Sequence, residues 1–215
     1  NYEEYGVDKH DWDWSENEFK ECVRLLNKFY KDTKFHQFYL SNRSFYNSIE
    51  REFQELVDQI DTAWFRDFFG MSYKMDNIWL VPANGVHNFA ISRKDVAGNK
   101  YNNCAIASLF TNAAGEVIFS EGTFQTLIHE ICHNYTSPIC QQNEAFFKEI
   151  CDTLYNTKVG KVLRANAYGD PGAFTYEGIN RLCEFYYYQT HNTFDSVELD
   201  RRIHNDETKG FIWLE

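Results

Sequence analysis

The stretch Leu127-Ile128-His129-Glu130-Ile131-Cys132-His133-Asn134-Tyr135 contains His-Glu-x-x-His, the pattern in which two histidines bind zinc and the intervening glutamate serves as general base. On an α-helix this spacing puts His129 and His133 on one face, with Cβ atoms about 5–6 Å apart, so both imidazoles converge on one ion. Glu130 lies beside that face, able to reach a metal-held water without being a ligand. The helix has independent support. Phe124, Leu127, Ile128, Ile131, Cys132 and Tyr135 recur at three- and four-residue steps and form an apolar stripe. Pro138 is expected to end it.

Two histidines leave a catalytic zinc site one protein ligand short. A third histidine spaced as His-x-x-Gly-x-x-His is excluded, because those positions are Thr136 and Ile139. A glutamate on a following helix remains. Candidates are Glu144, Glu149, Glu177 and Glu184, with His191 as an outsider. Glu144 and Glu149 follow so soon after Pro138 that the chain would have to fold straight back. Glu177 and Glu184 share one face of a later helix, with Arg181 between them, a polar face in a segment otherwise rich in Phe174, Tyr176, Leu182, Phe185 and Tyr186. Glu177 is the favoured ligand and Glu184 the alternative; the bland reading is an exposed Glu-Arg pair.

Outward from the motif, Ser15 and Glu18 form a capping-box pair at the start of a helix to about residue 32, with Phe19, Cys22, Val23, Leu26, Phe29 and Tyr30 on one face. A second helix is expected from about Ser44 to Thr62, followed by the Trp64, Phe65, Phe68, Phe69 and Gly70 cluster. After Gly70, short β-forming runs at Ile78–Val81, Val86–Ser92, Cys104–Phe110 and Val117–Phe119 alternate with Pro82-Ala83-Asn84-Gly85, Ala97-Gly98-Asn99 and Asn112-Ala113-Ala114-Gly115 turns. They predict a small, mostly antiparallel sheet. His87 reads as an ordinary polar strand residue. Beyond Pro138, helices are expected around Phe146–Leu154, for about 16 residues from Phe174, and from Ser196 to about Asn205. The resulting fold class is α+β: a small sheet packed with the motif helix and several further helices. It makes one domain over 1–215, with a helical part over 1–70, the sheet over 71–120 and the site helices over 121–215. The apolar end at Phe211–Leu214 suits a chain cut from a longer protein.

Composition narrows the function. Aromatic residues at 18% favour a packed globular chain over a disordered one. A net charge of -11 argues against nucleic acid and anionic membrane surfaces as partners. No apolar run approaches the length of a bilayer span. Six scattered cysteines, none in a C-x-x-C pair, read as small buried thiols, with disulfides the alternative.

Ile128–His133 followed by Ser137-Pro138, together with Tyr176-Glu177-Gly178-Ile179-Asn180-Arg181, resembles the DUF4932 family of bacterial zinc-metallopeptidase-like proteins, themselves similar to the glutamate-zincins. Phe29–Phe35 and Trp64–Gly70 are also similar to that family, so the resemblance spans most of the chain. It implies a zincin-like fold, Zn2+ held by His129, His133 and Glu177, Glu130 as base, and an exported protein. Where the family pattern leads one to expect Asn-Pro, Ser137-Pro138 stands, which touches a loop contact and not the ligands. The expected reaction is hydrolysis of a peptide or protein substrate. Rivals are a non-proteolytic zinc-binding module and a hydrolase for another carbonyl substrate. Arg181, Tyr135 and Tyr176 are candidates to support a ligand or to stabilise an oxyanion, beside Tyr168 and His191. Arg181 is expected to hold Glu177, and the Cys104–Phe110 strand to offer an edge to the substrate.

Overall fold

A computed structural model describes residues 15–71, 75–81, 88–94, 100–106, 110–166 and 168–212. The chain is mostly helical with a few short strands, an α+β arrangement. It forms two compact units, residues 1–54 and 55–215, so the expected helical part over 1–70 is shared between them. Among the described residues no helix is long and apolar enough to cross a membrane.

The first unit holds α1 (Glu16–Asp32), α2 (Phe35–Ser41) and most of α3 (Arg43–Val57). Ser15 caps α1 as its sequence suggests: its backbone N–H donates to Glu18 Oε2 at 2.7 Å, and Ser15 Oγ accepts from the Glu18 amide. Lys34, at φ +52°, turns the chain into α2, a helix too short for periodicity to reveal. The stripe on α1 exists, but none of it is fully buried: Leu26, Phe29 and Tyr30 are 40–53% exposed.

The helix expected to reach Thr62 stops at Val57. Asp61 explains the break, because Oδ1 accepts the amides of Ala63 and Trp64, both at 3.0 Å, and starts a new helix, α4 (Thr62–Phe69). Gly70 closes α4 at φ +61°, a left-handed position that glycine enters without steric cost. From α4, Phe65 stacks on Tyr135 and Tyr187 at 5.5 and 5.2 Å, and Phe69 stacks on Tyr135 at 4.8 Å.

The sheet consists of β1 (Met75–Leu80), β2 (Phe89–Lys94) and β3 (Lys100–Ile106), in the order β1-β3-β2. It is mixed and not mostly antiparallel: β3 pairs parallel to β1 and antiparallel to β2. Turn signals mark where strands end but not which partner each takes, and β3 enters between its predecessors. That makes β3 the central strand, so the Cys104 segment offers no free edge. A separate hairpin joins β4 (Phe110–Thr111) to β5 (Val117–Ile118). Its turn is the predicted one, with Gly115 at φ +79° and Asn112 Oδ1 accepting the amides of Ala114 and Glu116. His87 and the turns at 82–85 and 97–99 lie outside the described residues.

The motif helix, α5 (Glu121–Gln142), packs against β2, β3 and α8 (Pro171–Thr190). Pro138 lies inside α5 and does not end it. A proline there forfeits one backbone hydrogen bond and costs about 3 kcal/mol, yet buried contacts continue past it to Cys140. Ser137-Pro138 is therefore helix and not loop. Only Asn143 separates α5 from α6 (Glu144–Tyr155); α7 (Lys158–Ala165) follows, and α9 (Ser196–Thr208) is the last described helix. α8 begins earlier than expected, at Pro171, because Asp170 Oδ1 accepts the Ala173 amide and proline suits the first helical position.

Phe211 is fully buried with Cys151, Tyr155, Leu163 and Phe174 and seals a core at the start of α8. All six cysteines are free thiols; Cys104, Cys132, Cys140 and Cys151 are buried as the favoured reading has it, whereas Cys22 and Cys183 are only partly buried. In this core α7 approaches α6 so closely that a Cβ on Gly160 would lie 1.7 Å from the Tyr155 carbonyl oxygen. Gly160→Ala is therefore expected to destabilise the chain by about 1–3 kcal/mol, read as a lower urea midpoint. An unchanged midpoint would contradict the close approach.

Candidate metal centre

α5 is buried nearly all round, so its polar residues need partners inside the protein. One is His129, whose Nδ1 lies 2.8 Å from Glu184 Oε2 on α8. A carboxylate only accepts, so Nδ1 carries the proton and Nε2 is left with its lone pair. Tyr188, one turn further along α8, donates to Glu184 Oε1 at 2.7 Å and completes the support. Asn180 Nδ2 donates to the His129 carbonyl at 3.0 Å, and Thr136 Oγ1 donates to Asn180 Oδ1 at 2.8 Å. Asn180 also stands 3.3 Å from His129 Nδ1, but two donors do not bond, and the carbonyl is its acceptor.

With the ring fixed in this way, His129 Nε2 faces His133 Nε2 at 3.2 Å. Glu177 reaches both from α8: Oε2 is 3.5 Å from His129 Nε2, and Oε1 is 3.2 Å from His133 Nε2. Among the described residues, His129, His133 and Glu177 form a group able to hold a metal ion, with one donor atom from each lying within 4.8 Å of the others. All three side chains keep some accessibility, between 14% and 23%, so water reaches the site.

Three acceptors this close repel one another unless a cation or a proton lies between them. The electrostatics agree. Burial favours neutral His129, but the charges and hydrogen bonds of Glu184 and Glu177 override it and push its pKa up to about 10. Burial likewise opposes ionisation of Glu177, yet the two histidines hold its carboxyl well below the usual range. Glu130, 7% exposed, is displaced in the other direction, with burial raising its pKa against the charges of His129 and His133.

The favoured carboxylate is thus in the group, and the alternative, Glu184, supports a histidine instead. Glu144 and Glu149 are exposed on α6. His191 pairs with Asp61 at 3.3 Å and stacks on Tyr187 at 4.1 Å. Tyr135 belongs to the aromatic stack with Phe65 and Phe69. Tyr176 engages Gln141 near the end of α5. Arg181 is near Glu177, but its hydrogen bonds go to Asp206 and Tyr168. Asn180, Thr136, Tyr188 and Asp206 were given no role by the sequence. A signal existed for two of them: Asn180 falls between Glu177 and Glu184 at helical spacing, and Tyr188 lies one turn after Glu184.

A family model described as a domain of unknown function, DUF4932, matches residues 7–215. The chain belongs to the DUF4932 family. No curated protein and no solved structure matches it. The DUF4932 description names no activity, so any chemistry rests on the side chains themselves.

Two outcomes follow from this geometry, with zinc as the probe. Glu184→Gln keeps the shape but removes the charge behind His129, and is expected to weaken binding by about 10–100-fold in chelator competition; unchanged affinity would remove Glu184 from the site. Because the metal-free imidazole is protonated below about pH 10, a metal must displace that proton. Affinity should rise about tenfold per pH unit from roughly pH 7 toward about pH 10 and level off above. A flat profile would mean that His129 carries no displaceable proton.

Proposed function

We propose that the chain is a zinc-dependent peptidase of the glutamate-zincin type, with His129, His133 and Glu177 as ligands and Glu130 as general base. The observation that carries this reading is the convergence of two imidazole nitrogens and one carboxylate beside a buried glutamate. The donor set of two histidines and a glutamate is one that catalytic zinc sites use. Donors about 2.0–2.1 Å from a tetrahedral ion lie roughly 3.3 Å apart; the two imidazole nitrogens are 3.2 Å apart, and Glu177 offers a different oxygen to each of them, at 3.5 and 3.2 Å. When bound, zinc supplies a Lewis acid that acidifies water and polarises a carbonyl.

The protein's own groups do the rest. Glu184 and Asn180 keep the His129 ring in one tautomer and one orientation. Glu130 takes a proton from the attacking water as the new C–O bond forms, and delivers it to the amine as the C–N bond breaks. Burial raises its pKa toward working pH, which suits a group that must accept and then release a proton. Of the oxyanion candidates, Arg181 and Tyr168 are beside Glu177, whereas Tyr135 and Tyr176 are occupied elsewhere. β2 is an outer strand packed against α5, so an extended substrate would pair along β2 and not along the central β3.

Elemental analysis of the purified chain is expected to give about one zinc per molecule, lost in Glu177→Ala. Glu130→Gln should keep the metal and lose turnover of a peptide library by about 10²-fold or more. Retained turnover in Glu130→Gln would refute the mechanism. Zinc that survives loss of Glu177 would refute the ligand set.

A further inference from the structure

Arg181 stands one turn after Glu177 on α8, and it shares its guanidinium unequally. Nη1 donates to Asp206 Oδ2 at 2.7 Å, and Nη2 donates to Tyr168 Oη at 3.0 Å. The nearest Glu177 oxygen is 3.5 Å from Nη2, at the outer limit of a hydrogen bond. Nε is buried with no acceptor among the described residues. The guanidinium lies over the Phe211 ring, 4.8 Å from its centroid, and the Arg181 and Asp206 side chains are only 15% and 8% exposed. A buried, permanently charged arginine with an unspent donor, next to a carboxylate, would ordinarily close on it as a bidentate pair. At Glu177 that closure would compete with a metal ion for the same oxygens.

We propose that Asp206, on α9, is a positioning residue for the metal centre: with Tyr168 it holds the Arg181 guanidinium off Glu177, leaving that carboxylate to the ion. Asp206 holds Arg181 through Oδ2 while its Oδ1 accepts from Lys209 Nζ at 2.6 Å, which anchors the carboxylate in that position. This rests on His129, His133 and Glu177 being metal ligands, and it does not depend on the substrate.

The test is zinc affinity of the whole chain by chelator competition, with circular dichroism to verify folding. D206N, which leaves Arg181 free to close on Glu177, is expected to bind zinc about 10–100-fold more weakly, while D206E stays near wild type. D206N/R181M removes the competing guanidinium too, and should recover to within about threefold of wild type, a coupling that a purely structural role would not produce. D206N within about twofold of wild type, or a double variant as weak as D206N, overturns the proposal. If D206N does not fold, the double variant, which replaces the buried pair together, carries the test alone, and a loss of about tenfold or more refutes the proposal. Wild type that takes up no zinc refutes the ligand assignment, and the proposal with it; wild type that binds zinc with D206N unaffected refutes the proposal only.

Discussion

Everything in the second unit is arranged around one electrostatic demand: three acceptor atoms from two helices are brought together where they repel one another. His129, His133 and Glu177 meet only because the surrounding contacts make the alternatives worse. The bond from His129 Nδ1 to Glu184 at 2.8 Å fixes which nitrogen faces the others. The Thr136–Asn180–His129 carbonyl chain sets the relative rotation of α5 and α8. The Thr136–Asn180 bond is buried and the other two partly so, and a buried partner left unsatisfied costs about 1–3 kcal/mol. The seam therefore has little freedom to relax the repulsion by sliding apart.

Apolar packing extends that rigidity. Phe65 and Phe69 of α4 clamp Tyr135 on α5, and Phe65 also stacks on Tyr187 of α8, so one short helix braces both ligand-bearing helices. At the other end of α8, Phe174 is buried with Phe211, and the same Phe211 ring lies beneath Arg181. Hydrophobic closure and charge placement thus share a residue.

The motif made the first half of the site legible, because helical spacing alone puts His129 and His133 on one side. The same spacing argument brought Glu177 and Glu184 to one face, and for that reason it left both open as ligands; only the position of α8 along its axis relative to α5 separates them. Pro138 misled for a different cause. A proline marks a local cost, and sequence shows that cost but not the buried contacts on its far side that outweigh it. The order of the strands was hidden because partner choice in a sheet is a long-range matter. Tyr135 was a reasonable donor by proximity in sequence, but the ring packs as a hydrophobe. Asp206 lies 25 positions beyond Arg181, too far for any local pattern to pair them.

The six cysteines bear on which metal such a centre prefers. Cys132 is the neighbour of His133, one of the donors, and Cys183 the neighbour of Glu184, which supports His129, so sulfur stands close to the centre on both helices. Only a thiolate is an effective ligand. Burial pushes the Cys183 thiol up to about 12 and holds Cys132 well above its ordinary value, so both stay protonated. The chain keeps soft donors in its core and presents only nitrogen and oxygen. That withholding disfavours thiophilic ions such as Cu(I) and leaves the site to borderline divalent ions.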